Sequence, residues 1–168
     1  MDIKYYEFDT PIGQMIIFFS IKGIVYLYLL DDSKEDIIGY VNRKYGQTRK
    51  VDKNNYDYHM QIIEYLEGKL KKFSLPLDLR GTDFQKKVWI ELLKIPYGET
   101  ISYKEVAINI GTPKGYRAVG GALNKNPVLI VVPCHRVIGS NGNLVGFGGG
   151  LKLKERLLAL ESNNRIIN

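Results

Sequence analysis

Short apolar runs separated by turn residues fill the first thirty positions. Ile3–Asp9, Met15–Ser20 and Ile24–Leu30 are rich in β-branched and aromatic residues, and Pro11-Ile12-Gly13 and Lys22-Gly23 interrupt them. That pattern predicts a meander of antiparallel strands. The period then lengthens. Ser33–Arg43 and Tyr56–Phe73 read as helices, the second with Ile62, Ile63, Leu66 and Leu70 at helical spacing. The proline-containing connector Ser74–Gly81 marks a boundary, giving an N-terminal domain over 1–80 and a C-terminal domain over 81–168.

The second half is signalled mainly by helix starts. Thr82-Asp83-Phe84-Gln85 is a capping box that opens a helix over Asp83–Ile95, with Phe84, Val88, Leu92 and Ile95 as its buried stripe. Ser102-Tyr103-Lys104-Glu105 opens a shorter helix that ends at Ile110, where Gly111 fits the C′ position. Thr112 then suits an N-cap and Pro113 the first position of a helix to Lys125. Two short helices joined by a Gly-Thr turn have the arithmetic of a helix-turn-helix. The second contains Gly115, Gly120 and Gly121, each of which costs about 1 kcal/mol of helix stability relative to alanine. Close approach of another backbone accounts for such a stripe, whether a DNA strand or a neighbouring helix. Val128–Val132 reads as a buried strand that Pro133 ends. The fold class is therefore α+β: a small antiparallel sheet with helices, then a mainly helical domain with a winged-helix-like helix-turn-helix.

Composition narrows the function classes. Of 168 residues, 45% are apolar and 25% charged, the balance of a folded globular chain. No apolar run nears the roughly 20 residues of a membrane-spanning helix, and MDIKYYEFDT lacks a signal-peptide pattern. One cysteine excludes an internal disulfide, and with only two histidines the chain lacks the ligands of a structural zinc site. Net charge is +6, with 12 basic and 12 acidic residues before position 81 and 12 basic against 6 acidic after it. That excess fits either a polyanionic partner such as nucleic acid or simple solubility.

The sole cysteine lies in Pro133-Cys134-His135-Arg136. A thiolate is the useful nucleophile, an imidazole can take its proton, and Arg136 adds positive potential. A lone cysteine is also a common small core residue, and adjacent residues on a regular strand face opposite ways. Direct contact of Cys134 with His135 thus needs irregular backbone or a bridging water. Asn126, before Pro127, can fix the turn ahead of the cysteine or serve as an ordinary turn residue. Six glycines in Gly139–Gly150 make a tightly turning loop without a phosphate-loop ending. In the last helix, Leu151–Glu161, Glu161 shares a stripe with Leu153 and Leu157. A carboxylate there opposes the helix dipole; either it has a buried partner, for which His135 is the natural candidate, or the helix end is frayed and exposed.

Taken together, Pro133-Cys134-His135-Arg136-Val137, Tyr97-Gly98-Glu99-Thr100-Ile101-Ser102-Tyr103, Arg117-Ala118-Val119-Gly120, Asn126-Pro127, Gly149-Gly150-Leu151 and Glu161 resemble the O6-alkylguanine-DNA alkyltransferases. The resemblance spans about residues 82–162, and the strand-rich first half is compatible with that family's ribonuclease-H-like N-terminal domain. It implies direct reversal of damage: single-turnover transfer of an alkyl group from O6-alkylguanine, and more weakly O4-alkylthymine, in duplex DNA to Cys134. It further implies His135 as base through a water, Glu161 as its orienting carboxylate, Asn126 as a hinge and Tyr103 as an aid to the leaving guanine. Arg117 matches the finger that fills the space of a flipped nucleotide. DNA contacts are implied for Tyr103, Lys104, Thr112, Gly115, Gln85 and Ser140, through the minor groove. Val137, Phe147, Gly148 and Leu123 are implied as the base pocket. No cofactor, metal or membrane partner is implied, and a monomer acting in the cytoplasm on the nucleoid is expected.

Two other classes use the same residues. A DNA-binding regulator would employ the helix-turn-helix and have no need of Cys134. A cysteine hydrolase would turn over repeatedly without DNA and leave the basic half unexplained.

Overall fold

A computed structural model of the chain describes residues 2–31, 33–142 and 150–165, except the side chain of 165. It divides into two compact units, Met1–Arg80 and Gly81–Asn168.

In the N-terminal unit, β1 (Ile3–Thr10), β2 (Gly13–Ser20) and β3 (Gly23–Leu29) form the antiparallel meander that the alternating runs predict. β4 (Thr48–Lys50) joins it parallel to β1, giving the order β3-β2-β1-β4. Thr-Arg-Lys has no apolar pattern, so nothing local announces this strand; pairing with β1 creates it. Helix α1 (Lys34–Tyr45) lays Val41 on Ile3, Ile16 and Phe18. Helix α2 covers Tyr58–Leu66, not the longer Tyr56–Phe73 expected. Gly68, at φ +78°, terminates it, and the amides of Gly68 and Lys69 bond back to Tyr65 and Glu64. A left-handed residue with these bonds is the usual helix stop. At Gly23 (φ +144°) a Cβ would lie 2.5 Å from the Pro76 backbone, so the connector closes tightly on the sheet there.

In the C-terminal unit, α3 (Asp83–Leu92) and α4 (Tyr103–Asn109) both open with complete capping boxes. Val88, Trp89, Leu92 and Ile95 are buried, whereas Phe84 is half-buried. The Trp89 indole donates to the Ala122 carbonyl at 2.8 Å and ties α3 to α5 (Tyr116–Asn124). Helix α5 starts three residues later than Pro113. Thr112–Gly115 instead closes a turn, with the Gly115 amide 2.8 Å from the Thr112 carbonyl. Pro113 and Gly115 hold the positions such a turn favours, so turn chemistry wins over the capping reading of Thr112. Two-residue strands β5 (Ile101–Ser102) and β6 (Val137–Ile138) pair in parallel. They set the start of α4 beside the chain leaving the cysteine. Helix α6 (Leu151–Arg165) closes the unit.

Val128–Val132 is buried but is not a strand. The Val131 amide bonds to the Leu129 carbonyl at 2.9 Å across Ile130, whose φ is +75°. The Val132 amide bonds to Val128 and the Cys134 amide to Val132. These are successive tight turns, the first with a β-branched residue in the left-handed region that such residues avoid. Apolar content predicts burial here, and turn bonds satisfy the Val131, Val132 and Cys134 amides.

Candidate active site

The tight turns deliver Cys134 to the start of a single 3-10 turn, Cys134–Arg136. Pro133, at φ −81° and ψ 62°, bends the chain into it. This irregular backbone separates the three consecutive side chains in a way a strand would not. Cys134 is buried beside Asn126, whose side-chain amide donates to Sγ at 3.1 Å and to the Val132 carbonyl at 2.9 Å. The Asn126 Oδ1 accepts from the Val128 amide at 3.0 Å. One side chain thus braces both ends of the turn sequence.

His135 and Arg136 point to Glu161, which lies about a turn before the end of α6. His135 Nε2 lies 2.7 Å from Glu161 Oε2. The Arg136 fork grips the same carboxylate, Nε on Oε1 and Nη2 on Oε2, both at 2.9 Å. The Gly98 amide donates to Glu161 Oε1 at 3.0 Å, and Arg136 Nη1 donates to the Ile95 carbonyl at 2.7 Å. Glu161 is 1% exposed, which resolves the dipole objection by supplying buried cationic and N–H partners.

Lys154 is a residue that sequence reasoning passed over. It is fully buried, and its Nζ donates to the Val137 carbonyl at 2.6 Å. A signal existed: Lys154 stands seven residues before Glu161, on the same helix face. The reach of Arg136 to Glu161 was likewise missed, since sequence credited Arg136 only with potential.

Electrostatics follow burial. Burial pushes the Cys134 thiol up to about 11, against the pull of the Asn126 hydrogen bond and the Lys154 charge. Burial also lowers His135 below its ordinary value, with Glu161 opposing, which favours a neutral imidazole. For Glu161, burial opposes ionisation, but the bonds from His135 and Arg136 prevail and hold the carboxyl at about 2. Burial and the nearby Cys134 both push Tyr103 up.

Several of the other expected residues lie around α4 and α5. Tyr103 occupies the first position of α4, half-buried, and a Cβ on Gly120 would lie 3.9 Å from its ring. Arg117 is exposed in the first turn of α5, and Lys104 is exposed with Nζ 5.9 Å from the centre of the Tyr116 ring. Thr112 and Gly115 bound the turn between α4 and α5, and Ser140 is exposed after β6. Gln85 closes the α3 capping box, with Oε1 accepting the Thr82 amide at 3.0 Å. Leu123 and Val137 are buried. Phe147 and Gly148 lie outside the described residues. Among the described residues, a Cβ at Gly121 would meet no heavy atom within 4 Å, so no described helix explains that glycine.

Comparison with known proteins decides the class. A family profile described as the DNA binding domain of 6-O-methylguanine DNA methyltransferase matches residues 83–163, and one for its ribonuclease-like domain matches residues 3–79. A methylated-DNA–protein-cysteine methyltransferase of Methanosarcina barkeri is 45% identical over 164 residues, covering 95% of this chain and 98% of that protein. The chain belongs to the O6-methylguanine DNA methyltransferase family. An inducible relative from Bacillus subtilis is 42% identical over 84% of this chain and 80% of its own. The crystal structure of the Mycobacterium tuberculosis O6-methylguanine methyltransferase superposes with a TM-score of 0.84 at 41% identity, covering 96% of this chain and 94% of that one. A structure of the Mycobacterium tuberculosis protein in complex with DNA gives 0.80 at 39% identity, covering 98% and 94%. As in the methyltransferase family generally, the α+β architecture pairs a ribonuclease-like domain with a helical DNA-binding domain.

Proposed function

We propose that this chain repairs O6-alkylguanine in duplex DNA by moving the alkyl group to Cys134 Sγ, once per molecule. The family carries the reaction class, transfer of a methyl group from DNA to a protein cysteine, and DNA binding comes with it. The assignment of roles rests on one observation: a buried thiol accepts the Asn126 amide while the next residue is fixed to a buried carboxylate.

Sγ attacks the alkyl carbon in line with the C–O6 bond. The S–C bond forms as the C–O6 bond breaks, and its electron pair leaves on guanine. The thiol proton passes through a water to His135, whose neutral imidazole can accept it; Glu161 stabilises the resulting charge. The Tyr103 hydroxyl donates towards the departing base. The Val137 carbonyl already accepts from Lys154; its second lone pair is the one left for the guanine amine.

DNA is held through its minor groove by α4 and α5, with α5 inserted. Ala118 and Gly121 are exposed and allow close approach, while Lys114, Arg117 and Lys125 are exposed cations for phosphates. Arg117 fills the space of the extruded nucleotide. The protein acts as a monomer on cytoplasmic DNA, and among the described residues no helix is long and apolar enough to cross a membrane.

Mass spectrometry after mixing with a duplex containing one O6-methylguanine tests this. One methylene added to the Cys134 peptide, saturating at one per protein and absent in Cys134→Ser, is the expected result. Repeated turnover without an adduct overturns it.

A further inference from the structure

The N-terminal unit holds nine of the twelve tyrosines, and the reaction uses none of them. A groove of about 590 Å³ is lined by Tyr26, Tyr28, Tyr40, Asp31, Asp36 and Ile37 among others. Its size falls within the roughly 300–1,000 Å³ of small-molecule sites. Tyr26 and Tyr28 stand two apart on β3 and so share a face, with rings stacked at 5.8 Å and 14°. Asp36 and Tyr40 stand four apart on α1, and the Tyr40 ring lies 5.7 Å from that of Tyr26.

This lining suits a cation. Aromatic faces are electron-rich and attract ammonium groups. Beside the groove, Lys44 Nζ donates to the Tyr40 hydroxyl at 3.0 Å and lies 5.6 Å from the centre of the Tyr45 ring. Some carboxylates of this unit are paired, Glu7 with Lys34 and Lys50, Asp2 with Arg49 and Asp78 with Arg80. Among the described residues, Asp31 and Asp36 make no ion pair, yet both line the groove. Leu29 and Ile37 supply the apolar part of the lining.

We propose that this groove binds an organic ammonium ion, its charged head among Tyr26, Tyr28 and Tyr40 and its alkyl part on Leu29 and Ile37. Asp31 and Asp36 supply the compensating charge. An anion would meet the two carboxylates, and a neutral apolar ligand would gain nothing from them.

The test is an NMR titration of the full-length protein, with tyrosine rings labelled, against choline, its uncharged tert-butyl isostere and spermidine. Saturable shifts of Tyr26, Tyr28 and Tyr40 are expected with at least one cation, the isostere binding at least ~10-fold more weakly. The tighter cation tells a quaternary ammonium from a polyamine. Tyr40→Leu and Asp36→Asn should each weaken binding about fivefold or more while methyl transfer continues at the unsubstituted rate. No saturable shift with either cation, equal binding of the isostere, or unchanged affinity in both variants overturns the proposal.

Discussion

The Asn126 side-chain amide bonds at once to Cys134 Sγ, at 3.1 Å, and to the Val132 carbonyl, at 2.9 Å. The turn that delivers the nucleophile and the polarity at its sulfur therefore depend on the same group. Asn126→Ala leaves buried backbone groups unpaired, at about 1–3 kcal/mol each. Thermal unfolding should show that loss. The thiol pKa, read from the pH profile of alkylation by a small electrophile, should also rise. A lower melting temperature with an unchanged profile would make Asn126 merely structural.

Burial raises Cys134 to about 11. A raised acid contributes stability that is complete below its unfolded pKa, about 8.5, and is lost as pH climbs through the folded value. Denaturant melts should show wild-type stability falling by up to about 3 kcal/mol more than that of Cys134→Ala between about pH 8.5 and 11. Parallel curves for the two proteins would contradict this.

Glu161 shows the opposite sign. Its carboxyl is held at about 2, so its contribution is present above the unfolded value of about 4.3 and disappears as pH falls through 2. Glu161→Gln leaves Arg136 buried without its counter-charge, and breaking such a pair costs about 3–5 kcal/mol. Chemical denaturation at neutral pH should show that drop, and the acid limb below about pH 4.3 should flatten.

Gly121 separates folding from DNA binding. A Cβ there touches nothing among the described residues, so Gly121→Ala should stabilise the fold by up to about 1 kcal/mol through helix propensity. If α5 packs in the groove, duplex affinity should fall in the same variant. A more stable protein with undiminished duplex affinity would place the groove contact elsewhere.

Arg117 is exposed on the same helix. Arg117→Ala should change stability by no more than about 0.5 kcal/mol. It should slow transfer from duplex DNA at least ~10-fold while sparing reaction with free O6-benzylguanine, because only the duplex requires base extrusion. Equal slowing of both reactions would remove the finger role.

Much of this was legible in the residues. Strand alternation located β1, β2 and β3, and the boxes opening at Thr82 and Ser102 located α3 and α4, because these signals act over three or four residues. The place of Glu161 on the Leu153–Leu157 stripe left a buried carboxylate or a frayed end open, and the structure shows it buried. The signals failed where two local preferences competed. At Thr112–Gly115 a proline turn displaced a helix start, and after Leu66 the left-handed Gly68 ended α2 early.

The sequence alone determined the family-specific motif, the single nucleophile, the capped helices and the basic bias of the second half. Each is a property of residue type or near-neighbour spacing. Tertiary structure decided the rest. It placed β4 on β1, forced Ile130 to φ +75°, brought Arg136 to Glu161 across 25 residues and set Lys154 on the Val137 carbonyl. Val128–Val132 is the plainest case: an apolar run specifies that it will be buried, but its path depends on which partners meet its amides and carbonyls. Here the Val128 amide meets the Asn126 side chain, and the Val131 and Val132 amides meet the run's own carbonyls.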